Sequence, residues 1–139
     1  MSDSVVQAKA SLQRWFTAFN AQDVEGMTAN THFPHHRLSG ENDFQVFETA
    51  DDFRANHEKT LVTRNAQGWG YNTAKSIEGV QSGPDKVHLT FTQARCRPDG
   101  TEYHAFPTLW IFTRIDGHWG VQFRSSFLSG SVERGEPVD

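Results

Sequence analysis

The sequence predicts an α+β fold in which three N-terminal helices pack on a mainly antiparallel sheet. Apolar residues recur every three or four positions in the opening segment, which indicates a helix, whereas from Trp69 onward they alternate with polar residues, which indicates strands. Turn signals also recur in the second half, at 82–85, 98–100 and 116–117. Short connections join antiparallel neighbours, so these later strands are expected to form a meander.

The first helix is predicted over residues 4–20, because one helical face collects the apolar side chains Val5, Ala8, Leu12, Trp15, Phe16 and Phe19. Asp23 is interpreted as the cap of a short second helix that runs to about residue 30, and not as a catalyst. Thr49 precedes two acidic residues in a pattern that resembles a capping box, which predicts a third helix over residues 50–65.

Six strands are expected after or between these helices. Two short strands at 32–38 and 44–47 form a small hairpin, and Pro34 places the first of them at an edge or a strand start. The four long strands of the meander are expected at about 69–80, 86–97, 101–114 and 118–129. One domain over residues 1–130, followed by a polar tail at 131–139, accounts for the chain.

The third long strand is apolar on both faces, which carry Ala105, Pro107, Leu109 and Ile111 on one side and Phe106, Trp110 and Phe112 on the other. Three helices can cover only one side of the sheet in a chain of 139 residues, so the other side needs a different cover. A second copy of the chain would supply it. The sequence therefore predicts a two-fold homodimer through the sheet.

Composition excludes several classes of function. Thirteen Lys plus Arg stand against seventeen Asp plus Glu without a dense basic run, so nucleic acid is a poor candidate partner. No stretch has the length to span a bilayer, and the first residues lack a basic leader with an apolar stretch, which indicates a cytoplasmic protein. The single cysteine, Cys96, excludes an intrachain disulfide and a Cys-zinc site. Nucleotide-binding glycine motifs and a Gly-x-Ser-x-Gly elbow do not occur, so no cofactor and no covalent serine catalysis are expected.

The order of elements and two segments resemble the nuclear transport factor 2-like superfamily, and in particular its SnoaL-like bacterial members. The segments are the opening helix LQRWFTAFNAQDVEGM and the closing hairpin LWIFTRIDGHWGVQFRSSF, whose Asp-Gly-x-Trp turn is typical of the group. The resemblance implies a cone-shaped fold, in which a strongly curved sheet and the three helices enclose a pocket for a small molecule. The superfamily contains isomerases, dehydratases, cyclases, epoxide hydrolases and association modules, so the fold does not select a function.

The chain departs from characterised enzymes of that superfamily. Steroid isomerases carry a catalytic Tyr in the first helix and a general-base Asp after the first strand, where the resemblance places Trp15 and Leu38-Ser39-Gly40. Their chemistry needs a base and an oxyanion donor together, so steroid isomerase activity is not expected. The inward Asp-Arg-Asp set of the epoxide hydrolases cannot be assembled from the strand positions either.

Three histidines, His32, His35 and His36, form the densest ionisable cluster. Alternation along a strand puts His32 and His36 on one side and His35 on the other, so at most two can face a pocket together. Either one histidine makes a structural hydrogen bond and the others are solvated, or His36 acts as an acid or base in the pocket. No HxH or HExxH spacing occurs, so no metal site is expected.

In the last strand the polar residues Gln122, Arg124 and Ser126 alternate with aromatic ones. A half-exposed strand would turn this polar face to water. The resemblance implies instead that it faces the cavity, where the planar fork of Arg124 would hold a carboxylate or phosphate. Both interpretations stay open at this point.

Four more residues are candidates for the pocket. Tyr103 and His104 are neighbours on a strand and point to opposite faces, so only one of them can donate a proton inside, and either is compatible with a structural hydrogen bond. Trp15, at the place of the isomerase tyrosine, and Tyr71, near the expected pocket mouth, would contact a ligand as aromatic walls.

Two functions follow from these residues. The first is a cofactor-independent, SnoaL-like enzyme that moves a proton in a lyase or isomerase step on a small carboxylate-bearing metabolite. There His36 would be the acid or base, Arg124 would hold the anion, and Tyr103 or His104 would be a second donor. The alternative is a non-catalytic ligand-binding or association module with the same cavity and dimer.

Overall fold

The computed structural model describes residues 3–129, so the tail predicted at 131–139 lies outside the described residues. The helices are α1 (Asp3–Asn20), α2 (Val24–Ala29) and α3 (Ala50–Ala66). The strands are β1 (Thr31–Ser39), β2 (Asp43–Phe47), β3 (Tyr71–Ser82), β4 (Lys86–Cys96), β5 (Glu102–Ile115) and β6 (His118–Ser126). The predicted α+β class is confirmed. None of the three helices described is long and apolar enough to cross a membrane.

The six strands form a single sheet in the order β2-β1-β6-β5-β4-β3. Strands β3 to β6 make the expected antiparallel meander. The hairpin of β1 and β2 extends this sheet, because β1 runs parallel to β6 with His36 opposite Phe123. The sequence did not predict that pairing, since a parallel contact between strands far apart in the chain is set by tertiary packing and leaves no turn signal.

Helix α1 lies on the inner face of the sheet because its apolar stripe matches the inward row of β4 and β5. The ring of Trp15 meets the ring of Trp110 edge-on, with centroids 4.8 Å apart. Both rings are almost completely buried, and Trp15 Nε1 donates a hydrogen bond to Thr31 Oγ1 at 3.1 Å. Burial of one such side chain stabilises the fold by roughly 2–3 kcal/mol, so this contact anchors the helix to the sheet.

The end of α1 is fixed to the edge strand β3 by a pair of amide hydrogen bonds. Asn20 Nδ2 donates to the carbonyl oxygen of Asn72 at 2.9 Å, and Asn20 Oδ1 accepts from the Asn72 backbone N–H at 2.8 Å. The side chain of Asn72 in turn accepts from Trp69 Nε1 at 2.7 Å. These contacts hold β3 and the helix end in one arrangement.

Helix α3 closes the space between the β1–β2 hairpin and the meander. It begins after Thr49, whose Oγ1 accepts a hydrogen bond from the Asp52 backbone N–H at 3.2 Å. The ring of Phe53 packs edge-on against Phe47 of β2. The helix buries only Phe53, His57 and Arg64. Two of these three side chains are ionisable, which is unusual for an inward helix face.

Candidate functional site

A cavity of about 70 Å³ lies between α1, α3 and the inner face of the sheet. Its volume is several times the roughly 10–15 Å³ that one ordered water requires. Aromatic walls come from Trp15, Phe19, Phe53 and Trp110. Four arginines also line it: Arg37, Arg64, Arg95 and Arg124. None of the lining residues within the described part of the chain is Asp or Glu.

The four arginines reach the cavity from four different elements. Arg37 lies on β1, Arg64 on α3, Arg95 on β4 and Arg124 on β6. Alternate residues of a strand face the same side, so Arg95 follows Leu89, Phe91 and Gln93 inward. Residues distant in the chain thus converge on one space, which concentrates positive charge there.

Arg64 is the most deeply buried of the four, at 4% exposure. Its guanidinium carbon lies 4.4 Å from the centroid of the Phe19 ring, and Nη1 donates to Thr60 Oγ1 at 3.1 Å. Its Nε and Nη2 find no hydrogen-bond acceptor among residues 3–129. Burial, and then the charge of Arg95, lower the pKa of Arg64 to about 9, so the side chain still carries its charge at neutral pH.

Arg124 and His35 form a hydrogen-bonded pair beside the aromatic walls. Arg124 Nε donates to His35 Nε2 at 2.8 Å, and His35 Nδ1 donates to the carbonyl oxygen of Val121 at 3.2 Å. These contacts require a neutral ring with its proton on Nδ1. Burial, and then the charge of Arg124, lower the pKa of His35 well below its ordinary value.

His57 lines the same cavity from α3 and is 6% exposed. No hydrogen-bond partner for its Nε2 occurs within the described residues. Burial, and then the charge of Arg64, lower the pKa of His57 below its ordinary value. The ring is therefore mainly neutral at pH 7, and one of its nitrogens has no partner among residues 3–129.

The remaining two arginines each contact a glutamine. Arg37 Nη1 donates to Gln45 Oε1 at 2.8 Å, and Arg95 Nη1 donates to Gln67 Oε1 at 3.2 Å. Glutamine fixes the direction of a guanidinium group without neutralising its charge. These contacts therefore help to orient the two side chains.

Of the residues predicted from sequence, Trp15, Arg124 and Ser126 line the cavity. Gln122 does not line it. Its Oε1 accepts from Thr113 Oγ1 at 3.0 Å, and its Nε2 donates to the carbonyl oxygen of Pro34 at 3.3 Å. Only two of the three polar side chains of the last strand therefore line the cavity. Arg124 and Ser126 reach it, whereas Gln122 is hydrogen-bonded to its neighbours.

His36 needs a correction, since it lies outside the cavity lining. His35 is fully buried toward the inside and Arg37 lines the cavity, so alternation turns His36 to the outer face of β1. There its ring lies 5.9 Å from the ring of Phe44 and 6.3 Å from that of Phe123, between centroids. His36 is therefore not placed to act on a ligand in the cavity.

Tyr103, His104 and Tyr71 also lie outside the cavity lining, so the structure does not bring them to the cavity as the sequence predicted. Tyr103 Oη donates to Gln67 Oε1 at 3.2 Å, and His104 Nε2 accepts from the Ser129 backbone N–H at 3.4 Å. Tyr71 is paired with Cys96 of β4 at the start of its strand. The first two thus make structural hydrogen bonds, which the sequence had left open as an alternative.

Sequence reasoning missed Arg37, Arg64, Arg95 and His57. A signal was present for Arg64, Arg95 and His57. On a helix, His57 is one turn after Phe53 and Arg64 is two turns after His57, so the three share a face. On β4, Arg95 has the same parity as the apolar Leu89 and Phe91. In each case the sequence places an ionisable residue on the same face of a helix or strand as apolar core residues, which indicates a buried ionisable side chain.

Within residues 3–129, no three His, Cys, Asp or Glu side chains are grouped in a way that could hold a metal ion. The lining is cationic, which disfavours a cation and favours an anion. Chemically, the site offers several guanidinium donors, one neutral imidazole and flat apolar walls.

The sequence matches no family model and no curated protein sequence. Solved structures do match the fold. A protein of unknown function with a cystatin-like fold from Nostoc punctiforme has a TM-score of 0.73 at 12% identity, over 91% of each chain. An NTF-2 like protein of unknown function from Shewanella oneidensis has a TM-score of 0.65 at 17% identity, over 90% of this chain and 97% of its own.

A ketosteroid isomerase-like protein from Erwinia carotovora atroseptica has a TM-score of 0.66 at 14% identity, over 91% of this chain and 97% of its own. Identities this low show the fold alone. The fold is therefore NTF2-like, which confirms the resemblance at the level of architecture. Placement among the SnoaL-like members stays a prediction.

Proposed function

We propose that the protein binds a small anionic metabolite, a carboxylate or a phosphate ester, in the arginine-lined cavity. The observation that carries this proposal is the convergence of Arg37, Arg64, Arg95 and Arg124 on one space whose described lining contains no Asp or Glu. Guanidinium groups match carboxylate and phosphate oxygens with two parallel hydrogen bonds. An anion would therefore find donors arranged around it.

Electrostatics supports the same ligand class. Burying several like charges is costly unless they are compensated, and the lowered pKa of Arg64 records that cost. The unused Nε and Nη2 of Arg64 add two donors that have no acceptor among residues 3–129. A bound carboxylate would satisfy both donors and offset the repulsion between Arg64 and Arg95. The cavity is thus better suited to the bound state than to the empty one.

The walls indicate what else the ligand contains. The guanidinium carbon of Arg124 lies 5.2 Å from the centroid of Trp15 and 5.6 Å from that of Trp110. A ligand that reaches Arg124 therefore lies beside flat apolar surface. Together with a volume of about 70 Å³, this favours a compact molecule with a short carbon body and at least one anionic group.

Thermal unfolding with and without ligand tests the proposal. Suitable probes are pyruvate, 2-oxoglutarate and dihydroxyacetone phosphate, which present one carboxylate, two carboxylates and a phosphate, with acetone as the neutral control. A ligand that binds only the folded state at a hundredfold excess over its Kd adds about 2.7 kcal/mol to the free energy of unfolding. At least one anion is expected to raise the Tm of the wild-type protein, and acetone is expected to leave it unchanged.

Variants then assign the effect to the cavity. Arg64→Gln and Arg124→Gln are expected to weaken binding at least about 30-fold, since removing a buried charged donor costs roughly 2–5 kcal/mol. Arg114→Gln is the matched control, because Arg114 is exposed and paired with Asp85 outside the cavity. Absence of any anion effect on the wild type, or an equal loss in Arg114→Gln, contradicts the proposal.

Two roles remain possible for such a site, an enzyme of the lyase or isomerase type and a non-catalytic binding module. A ketosteroid isomerase-like protein with this fold supports the first by analogy. His36 cannot supply the proton transfer from its outer position, so an enzymatic role depends on another base. A cytoplasmic location and independence of cofactors stay predictions.

We also propose that the chain forms a homodimer through the outer face of its sheet. A row of paired residues crosses five strands on that face and consists of Val46, His36, Phe123, Ile111 and His88. Phe44, beside this row, is 55% exposed. The apolar members of this row, Val46, Phe123 and Ile111, together with Phe44, support an interface between two copies, related by a two-fold axis.

A further inference from the structure

His57 is a buried ionisable side chain that the binding proposal does not use. It is 6% exposed, it lines the cavity, and no residue between 3 and 129 partners its Nε2. Buried polar atoms are almost always hydrogen-bonded, so an unused nitrogen inside a cavity needs an explanation. A bound ligand that meets this nitrogen would provide one.

The surroundings of His57 make its ring a base. In the neutral ring with its proton on Nδ1, Nε2 offers a lone pair. The charge of Arg64, which lies two turns further along α3, disfavours a protonated ring, as burial does. Glu58 acts in the opposite direction, and its effect is the smallest of the three. The ring is therefore free to accept a proton at neutral pH.

The other cavity side chains suit the charge that such a proton transfer creates. Removing a proton from carbon beside a carbonyl group leaves an enolate, whose negative charge needs donors that are already in place. Arg64 Nε and Nη2 are donors of this kind, without an acceptor among the described residues. Trp15, Phe53 and Trp110 form apolar walls, so a ligand that fills the cavity displaces water from the donors and strengthens the electrostatic stabilisation.

We propose that His57 is the catalytic base of a proton-transfer enzyme that acts on a small keto acid or keto phosphate in this cavity. This inference rests on the proposed binding function. A C–H bond beside the carbonyl group breaks, its electron pair forms the enolate, and the proton moves to Nε2. Return of the proton to the same carbon gives back the keto compound, with either configuration at that carbon, and restores neutral His57, so no oxidant, reductant or metal takes part.

Hydrogen–deuterium exchange measures this step directly, because a proton taken by His57 is replaced by a deuteron from solvent. Pyruvate, 2-oxoglutarate and dihydroxyacetone phosphate are incubated with the full chain in D₂O, and loss of the C–H signal beside the carbonyl group is followed by ¹H NMR. The wild-type protein is expected to accelerate exchange in at least one probe that it binds. His57→Gln is expected to reduce the enzymatic rate about 10²–10⁴-fold, the usual contribution of a general base.

Binding is measured on the same samples by calorimetry, which separates the two proposals. His57→Gln should keep the Kd of the probe within about threefold, which also shows that the variant is folded. The matched control His118→Gln, at an exposed position of β6, should exchange at the wild-type rate. Binding with no accelerated exchange in any of the probes, or equal exchange in His57→Gln, overturns the catalytic role and leaves the binding function standing. Failure of every probe to bind overturns both.

Discussion

The hydrogen bond between His35 and Arg124 fixes the protonation state of the histidine and the direction of the arginine side chain. Arg124 Nε donates to His35 Nε2, so a protonated His35 would set one N–H group against another. His35 has 0% exposure, and its second nitrogen is engaged with the Val121 carbonyl group. The neutral ring therefore acts as a fixed acceptor, which aims the guanidinium group of Arg124 along the aromatic wall and into the cavity.

This pair predicts a loss of stability in mild acid. Burial and the charges of Arg124, Arg37 and His36 hold the folded-state pKa of His35 well below 6.5. Below pH 6.5, His35 binds a proton in the unfolded chain but not in the folded chain. The free energy of unfolding therefore falls as the pH falls. One such histidine contributes roughly 1 kcal/mol of loss by one pH unit below 6.5.

Urea unfolding at pH 7.5 and pH 5.5 measures this loss. His35→Gln keeps an acceptor for Arg124 and removes the titrating imidazole, so its loss between the two pH values should be roughly 1 kcal/mol smaller than that of the wild type. His57, His88 and His104, whose pKa values are also lowered by burial, contribute equally to both proteins. An identical pH dependence in wild type and variant would contradict the assignment to His35.

At the residue scale, sequence reasoning found Arg124 and missed Arg64 for a physical reason. Arg124 stands in a strand whose neighbours are aromatic, and the resemblance implied a direction for its side chain. Arg64 stands near the end of a helix, where a basic residue is ordinarily solvated and complements the helix dipole. Only the packing of α3 against Phe19 and Trp69 turns Arg64 inward. That packing is a tertiary contact, which helix periodicity alone does not specify.

At the element scale, α3 carries both His57 and Arg64, so its start position matters for the site. Thr49 Oγ1 accepts from the Asp52 backbone N–H and satisfies one donor of the first turn. Thr49→Ala should therefore lower the free energy of unfolding by about 1 kcal/mol, measured by urea denaturation at pH 7.5.

The matched control for this cap is Thr17→Ala, because Thr17 is an exposed residue inside α1. Alanine has the higher helix propensity, so that change should leave stability equal or slightly raised. If the two variants lose the same stability, the effect at Thr49 does not come from capping.

The elements themselves were predictable because local signals specify them. The apolar stripe of α1, the cap at Thr49 and the three turns of the meander each depend on residues close together in sequence. The position of the β1–β2 hairpin is different. Its place beside β6 depends on the pairing of His36 with Phe123 and of Arg37 with Arg124, which are brought together only by the complete fold. That pairing is also what turns His36 away from the cavity.

At the scale of the whole molecule, the sheet separates two surfaces of different chemistry, for which we propose different roles. Its inner face carries Arg95, Trp110 and Arg124 around the cavity, and its outer face carries Ile111 and Phe123. Alternation along β5 and β6 assigns neighbouring residues to opposite faces. Binding and dimerisation can therefore be altered separately, by substitutions only one residue apart.

Ile111→Glu is the sharpest test of the outer face as a dimer interface. Ile111 is paired with Phe123 and His88 within the row that crosses the sheet. In a two-fold dimer each substitution appears twice, so two carboxylates would be buried in the interface. Such contacts cost several kcal/mol, and we expect the dimer Kd to rise at least about 100-fold in sedimentation velocity experiments.

Val62→Glu is the matched control, since Val62 lies on α3, away from the sheet, and is 71% exposed. It should leave the dimer intact, and neither variant should lose anion binding, because both positions lie outside the cavity lining. A monomeric wild-type protein at micromolar concentration, or equal dissociation by the two variants, contradicts the interface. Loss of anion binding in Ile111→Glu monomers would instead mean that the cavity depends on the second copy, so the two faces of the sheet would be energetically coupled and not independent.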